Sequence, residues 1–193
     1  MYTKDKWLDS FDLGDKAENA FVKIAKSNGL EISESSRHEN MRKHIDYWVW
    51  KPNNKDKKWS VDVKSRKRTN RKDKNVQDDL VWLEFQNVNG NKGWLYGEAS
   101  IIAFERAGDF VLVNRKTLAE AAEKLVDQST LVNSANKAKY KLYKRFDRDD
   151  RVSMIEMKDI LALKHKKWEY CVSLNPKSRS FDCNGLCLTL DLV

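Results

Sequence analysis

His44-Ile45-Asp46-Tyr47-Trp48-Val49-Trp50, followed by Lys58-Trp59-Ser60-Val61-Asp62-Val63-Lys64, is the stretch on which the reading of this chain turns. The first segment is dense in aromatic and β-branched side chains, which fit a pleated, half-buried surface, so it reads as a strand with Asp46 near its middle. Lys51-Pro52-Asn53-Asn54-Lys55-Asp56 carries turn chemistry. The second segment reads as another strand. Its alternation puts Ser60, Asp62 and Lys64 on one face and Val61 and Val63 on the other. Two strands joined by a short polar turn make a β-hairpin.

Working outward, Leu13, Ala17, Ala20, Phe21, Ile24 and Ala25 recur at helical spacing before the hairpin, and Asn28-Gly29 reads as the helix stop. Leu30 to Met41 is polar and reads as loop. After the hairpin comes a basic block, Lys64 to Lys74, with seven Lys or Arg and one Asp. Leu80–Asn87, Gly93–Tyr96, Ser100–Glu105 and Asp109–Asn114 read as strands or strand pieces. Thr117–Asp127 reads as a helix opened by a Thr117-x-x-Glu120 capping box. Patterning weakens after Ser129. Ala138–Phe146 and Arg151–Met157 read as a strand pair around the charged turn Asp147–Asp150, and Lys158–His165 as a short helix. Trp168–Leu174 and Leu186–Leu192 read as closing strands. A helix, a run of strands, a helix and further strands predict an α/β protein. Its mixed central β-sheet would be flanked by helices, rather than alternating regularly as in a doubly wound fold. The expected division is a core over 1–128 and a C-terminal extension over 129–193, packed on it as one globular unit.

The composition narrows the function classes. The chain has 193 residues and a formal net charge of +8, with seven Trp, seven Phe and six Tyr to fill a core. The positive balance points to a polyanionic partner, nucleic acid first. No apolar run approaches the roughly 20 residues of a membrane span, and nothing at the N-terminus reads as a secretion signal. Cys171, Cys183 and Cys187 cannot all pair within one chain, so they read as reduced thiols of a cytoplasmic protein. With His165 they match no standard zinc spacing. There is no Gly-rich phosphate loop and no HExxH motif.

Chemistry concentrates on four residues. If the hairpin register is favourable, Asp46 comes close to Asp62-Val63-Lys64. Two carboxylates on neighbouring strands suit a hard divalent cation, which takes oxygen ligands. A lysine beside them can orient a water or stabilise charge on a phosphate oxygen. Glu18, on the preceding helix, would complete the outer shell or bind a second ion. The bland alternative is a solvated strand face with an ordinary Asp62–Lys64 ion pair.

Asp46 followed by Asp62-Val63-Lys64 resembles the PD-(D/E)xK nuclease superfamily. There an acidic residue on one strand is followed, after a short connection, by (Asp/Glu)-x-Lys on the next. Glu18, in Gly14-Asp15-Lys16-Ala17-Glu18, matches the glutamate that the family's first helix often bears, and that helix resembles the archaeal Holliday-junction resolvases. Ile45 stands where the family name has proline. The likeness covers roughly residues 14 to 115. Trp82–Asn87 through Gly93–Gly97 is similar to small nuclease-like proteins of bacteriophages. The resemblance implies a restriction-endonuclease-like core and metal-dependent phosphodiester hydrolysis of DNA, endonucleolytic, junction-resolvase-like or restriction-like. Asp46, Asp62 and the Val63 carbonyl would hold Mg²⁺, with Glu18 in support and Mn²⁺ as a substitute. Lys64 would position the attacking water or the scissile phosphate, leaving a 5′-phosphate and a 3′-hydroxyl. It also implies a homodimer, because two strands must be cut, working in the cytoplasm (the host's, if phage-encoded). The competing reading is a nucleic-acid-binding module on a nuclease-like fold with little or no catalysis.

Further nucleic-acid contacts are expected from His44, which should share the face of Asp46. Arg66, Lys67, Arg68, Arg71 and Lys72 of the basic block would contact phosphates and make binding salt-dependent. Glu84 and Gln86 would line the cleft if their strand neighbours that of Asp62. Tyr140, Lys141, Tyr143, Lys144 and Arg145 interleave rings and cations, but fit an ordinary amphipathic strand at least as well.

Overall fold

The computed structural model describes residues 5–69 and 73–170. Helix α1 (Asp5–Ser27) begins earlier than its apolar stripe suggests and buries Ala17, Phe21, Ile24 and Ala25. It ends at the predicted stop. Gly29 takes φ +71°, where a side chain would be strained, and the Gly29 and Leu30 N–H groups close back on the Lys26 and Ala25 carbonyls. The segment read as loop instead contains strand β1 (Glu31–Glu34) and helix α2 (Arg37–Lys43). Ser36 and Glu39 form a reciprocal capping box at the start of α2, which offsets the cost of orphan donors in a helix with no buried residue.

The hairpin forms as read. Strands β2 (Tyr47–Lys51) and β3 (Asn54–Lys64) pair antiparallel, with Tyr47 opposite Val61 and Trp48 opposite Ser60, and β1 pairs antiparallel with the other edge of β2. From Lys64 the chain leaves this sheet. It runs through β4 (Leu80–Gln86) in a second sheet and returns as β5 (Ile101–Glu105), parallel to β3. Strand β6 (Asp109–Asn114) turns back antiparallel on β5, and helix α3 (Arg115–Leu125) follows. Strands β7 (Asp127–Val132), β8 (Lys141–Tyr143) and β9 (Arg151–Glu156) then complete the second sheet in the order β4-β9-β8-β7. After a short helix α4 (Met157–Leu161), β10 (His165–Glu169) comes back to pair with β6. It closes a six-stranded sheet of order β1-β2-β3-β5-β6-β10. The mixed sheet flanked by helices is present, but it shares the molecule with a four-stranded sheet that the sequence pattern did not announce. Residues on both sides of position 128 contribute to both sheets.

Each face of the large sheet has its own core. On one face α1 packs over Val61, Val63, Ile101 and Leu112. Phe21 lies 5.4 Å from both Phe110 and Trp168, edge-on to the first and stacked on the second. Burying such a ring contributes roughly 2–3 kcal/mol. On the other face Ile102, Phe104, Val111 and Val113 meet Leu83 and Ile155 of the second sheet and Leu118 and Ala122 of α3.

Several local readings are corrected. Gly93–Tyr96 is not a strand: Trp94–Tyr96 is a 3-10 turn, pressed so closely on β4 that a Cβ on Gly93 would sit 2.2 Å from the Glu84 carbonyl oxygen. The N-cap of α3 is Asn114, whose side chain accepts from Thr117 N, so Thr117 lies inside the first turn rather than capping it. His165 opens β10 instead of ending a helix. The expected strand Leu186–Leu192 and the three cysteines lie outside the described residues.

Candidate active site

The two candidate carboxylates meet where β2 begins. Asp46 is not mid-strand. It is the residue before β2, and its backbone is shared between neighbours. Asp46 N donates to Val61 O, and Asp46 O accepts from Ser35 N. The side chain then takes over what the strand would otherwise provide. Oδ2 accepts from Val63 N at 2.7 Å, and Oδ1 accepts from Asn40 Nδ2 at 2.7 Å. The carboxylate is therefore fixed by β3 on one side and by α2 on the other. Because N–H and C=O of one residue face the same neighbouring strand, the Val63 carbonyl is directed to this side too.

Asp62 alternates onto the face turned toward the second sheet and is 2 % exposed. One oxygen, Oδ1, pairs with Lys64 Nζ at 2.5 Å. The other, Oδ2, is buried and accepts from no N–H or O–H of a neighbouring donor; the hydrogen bond open to this carboxyl is with Asp46, when Asp62 is protonated. Burial pushes the Asp62 carboxyl up to about 8. The Lys64 ammonium opposes the rise, and the Asp46 carboxylate lying against it adds to it. Lys64 is held between this carboxylate and the face of Trp94, whose ring centre is 4.8 Å from Nζ.

Glu18 reaches the same place from α1. Tyr47 Oη donates to its Oε2 at 3.3 Å, and burial followed by the nearby Asp46 charge raises its carboxyl. His44 does not share a strand face with Asp46. It caps α2 in the left-handed region, at φ 54°. That turn still leaves the imidazole close enough for Lys64 to lower its basicity, after burial, and for Asp46 to oppose the change.

Beside Lys64 a cleft of about 190 Å³ opens between the sheets, with Ser65 and Phe104 on one wall and Trp82, Glu84 and Met157 on the other. Strand β4 does not neighbour β3, whose partner on that side is β5, yet Glu84 lines the cleft from across it. Burial raises the Glu84 carboxyl, against the pull of Trp94 N, which donates to its Oε2 at 3.3 Å, and of Lys64. Gln86 lies away from the cleft, and its Nε2 donates to the Asp149 carbonyl. The basic block is partly folded down rather than a solvated loop. Arg66 Nε holds Asp78 Oδ1 at 2.5 Å. The Lys67 carbonyl accepts from both Gln77 N and Gln77 Nε2, at 3.2 Å. Arg68 O accepts from Trp82 Nε1. Arg71 and Lys72 lie outside the described residues.

The Asp46 and Asp62 carboxylates and the Val63 carbonyl are oxygen donors of the kind that suits a Mg²⁺ ion keeping several waters. Among the described residues no cluster of three or more acidic, histidine or cysteine side chains is arranged to hold a metal. Sequence reasoning missed Asn40, Ser65 and Trp94. The Ser36-x-x-Glu39 pattern was the available signal for the helix that carries Asn40. No family model, no curated protein and no solved structure matches the chain.

Proposed function

We propose that this chain is a metal-dependent DNA endonuclease of the PD-(D/E)xK type. One observation carries the reading: the buried Asp62 carboxyl lies against the Asp46 carboxylate, two residues before a lysine. Two carboxyls in contact, one of them buried, cannot both ionise without cost, and the raised Asp62 carboxyl marks a shared proton whose place a cation would take. A cation held between Asp46 and Asp62, with the Val63 carbonyl, removes that cost. Bound Mg²⁺ or Mn²⁺ would lower the pKa of a water and offset charge on the phosphate. Lys64, braced by Trp94, would present its ammonium to the scissile phosphate or to the attacking water. Asn40 and Val63 N would hold Asp46 in place, and Glu18 would add negative potential behind it. The net charge of +8 suits a polyanionic substrate. Cutting both strands would call for a homodimer. No helix among the described residues is long and apolar enough to cross a membrane.

A second reading draws on the Asp62–Lys64 ion pair, which balances the buried charge without a metal. It makes the chain a DNA-binding module that does not cut. A cleavage panel separates the two: supercoiled plasmid, linear duplex, single strand, four-way junction and RNA, each in Mg²⁺, Mn²⁺ and EDTA. Metal-dependent cutting that Asp62→Ala and Lys64→Ala both abolish, with fold and most DNA affinity retained, supports the nuclease. Wild-type cutting in both variants refutes the site. Salt-sensitive binding equal in EDTA and Mg²⁺, without cutting, supports the module.

A further inference from the structure

We propose that the cleft beside Lys64 is a receptor for a single unpaired DNA nucleobase, so that the preferred substrate carries an extruded or unpaired nucleotide at the site of attack. The inference rests on the nuclease reading for the position of the phosphate. The cleft begins at Lys64, whose ammonium is on Asp62, and a base is joined to its phosphate through one sugar. Its volume of about 190 Å³ is below the roughly 300–1,000 Å³ of sites for drug-sized molecules. That scale suits one flat heterocycle.

The lining suits that occupant. Trp82, which is partly exposed, offers apolar ring surface backed by the buried Trp94 and Phe104, and a base gains stacking energy on such a ring whatever its sequence. Ser65 is 8 % exposed, and its Oγ is buried without a hydrogen-bond partner. A hydroxyl can donate to a ring nitrogen or carbonyl, or accept from an amino group, so it can meet any base edge. Glu84 faces the same space and accepts best from an exocyclic amino group. A base still stacked in a duplex cannot enter, and extrusion is cheapest where pairing is already lost.

The test measures affinity in EDTA, where cutting does not interfere. Three labelled duplexes are compared by fluorescence anisotropy: fully paired, with one bulged cytidine, and with the same bulge made abasic. The bulged base should bind at least tenfold more tightly than the abasic bulge. Ser65→Ala removes an unpaired hydroxyl, so the fold should be as stable as before while the preference for the base falls about fivefold. Ser65→Val, which narrows the cleft, should abolish the preference. Equal affinity for base-bearing and abasic bulges in the wild type overturns the proposal, as does an unchanged preference in a folded Ser65→Ala. The two readings fail separately. Base preference without cutting in any metal keeps the receptor and removes the nuclease, whereas metal-dependent cutting without base preference removes only the receptor.

Discussion

Replacing Asp62 by asparagine should stabilise the metal-free protein, and the gain should depend on pH. The Asp62 carboxyl is raised to about 8 in the fold, against about 3.9 in an unfolded chain. A folded pKa above the unfolded one means that the native state binds the extra proton. Stability is therefore fullest below about pH 4 and is lost as pH rises toward 8. At pH 7 about three pH units of this difference are in play, roughly 4 kcal/mol at 1.36 kcal/mol each. Asparagine keeps the shape and removes the titration. It leaves Lys64 facing an amide, which returns about 1 kcal/mol. The net gain should be about 3 kcal/mol at pH 7, or a Tm higher by roughly 6–12 °C for a chain of this size. It should shrink to nearly nothing by about pH 4.5. Thermal melts of both proteins in EDTA from pH 4.5 to 8 read this directly. Adding Mg²⁺ should then raise the wild-type Tm and leave Asp62→Asn unmoved. A variant that is no more stable than wild type at pH 8, or a gap constant with pH, would refute the idea that Asp62 is held against its own ionisation.

Three further outcomes follow from the same geometry. Cleavage at low Mg²⁺ should rise with pH up to about 8 as Asp62 gives up its proton, and higher Mg²⁺ should move the midpoint to lower pH; a pH-rate series at two metal concentrations measures both. Glu18→Gln removes a half-buried negative charge whose carboxyl is raised beside Asp46, so melting in EDTA at pH 7 should move slightly upward, while the Mg²⁺ concentration for half-maximal cleavage rises severalfold. Gly93→Ala forces a methyl into the Glu84 carbonyl and should lose about 2–3 kcal/mol by urea unfolding, with cleavage impaired because Trp94 braces Lys64.

The hairpin was legible because both strands obey the two-residue period, and the same period set Asp62 and Lys64 on one face. The helix before it was legible from its apolar stripe and glycine stop. What escaped was long-range. Leu80–Asn87 reads as a strand with Leu83 and Phe85 inward, and β4 forms there over Leu80–Gln86, but local pattern does not say which sheet it joins. Its partner, β9, arrives some 70 residues later. Glu84 was therefore placed in the cleft for the wrong reason, and Gln86 did not reach it. The start of β2 was misjudged because Ile45 and Tyr47 are both apolar, which hides that the chain is still turning at His44. Helix α2 was missed because its side chains bury nothing, so no apolar stripe marks it and only its cap does.

The crossover from β3 through β4 to β5 also sets a timetable for the growing chain. Asp46, Asp62 and Lys64 are all synthesised within the first third of the protein. The strand that seats β4 opposite them ends at Glu156, about ninety residues after Lys64, which takes roughly 5–20 seconds at 5–20 residues per second. During that interval the acids exist but the wall facing them is not in place. The site thus reaches its final shape only when nearly all of the described chain has been synthesised.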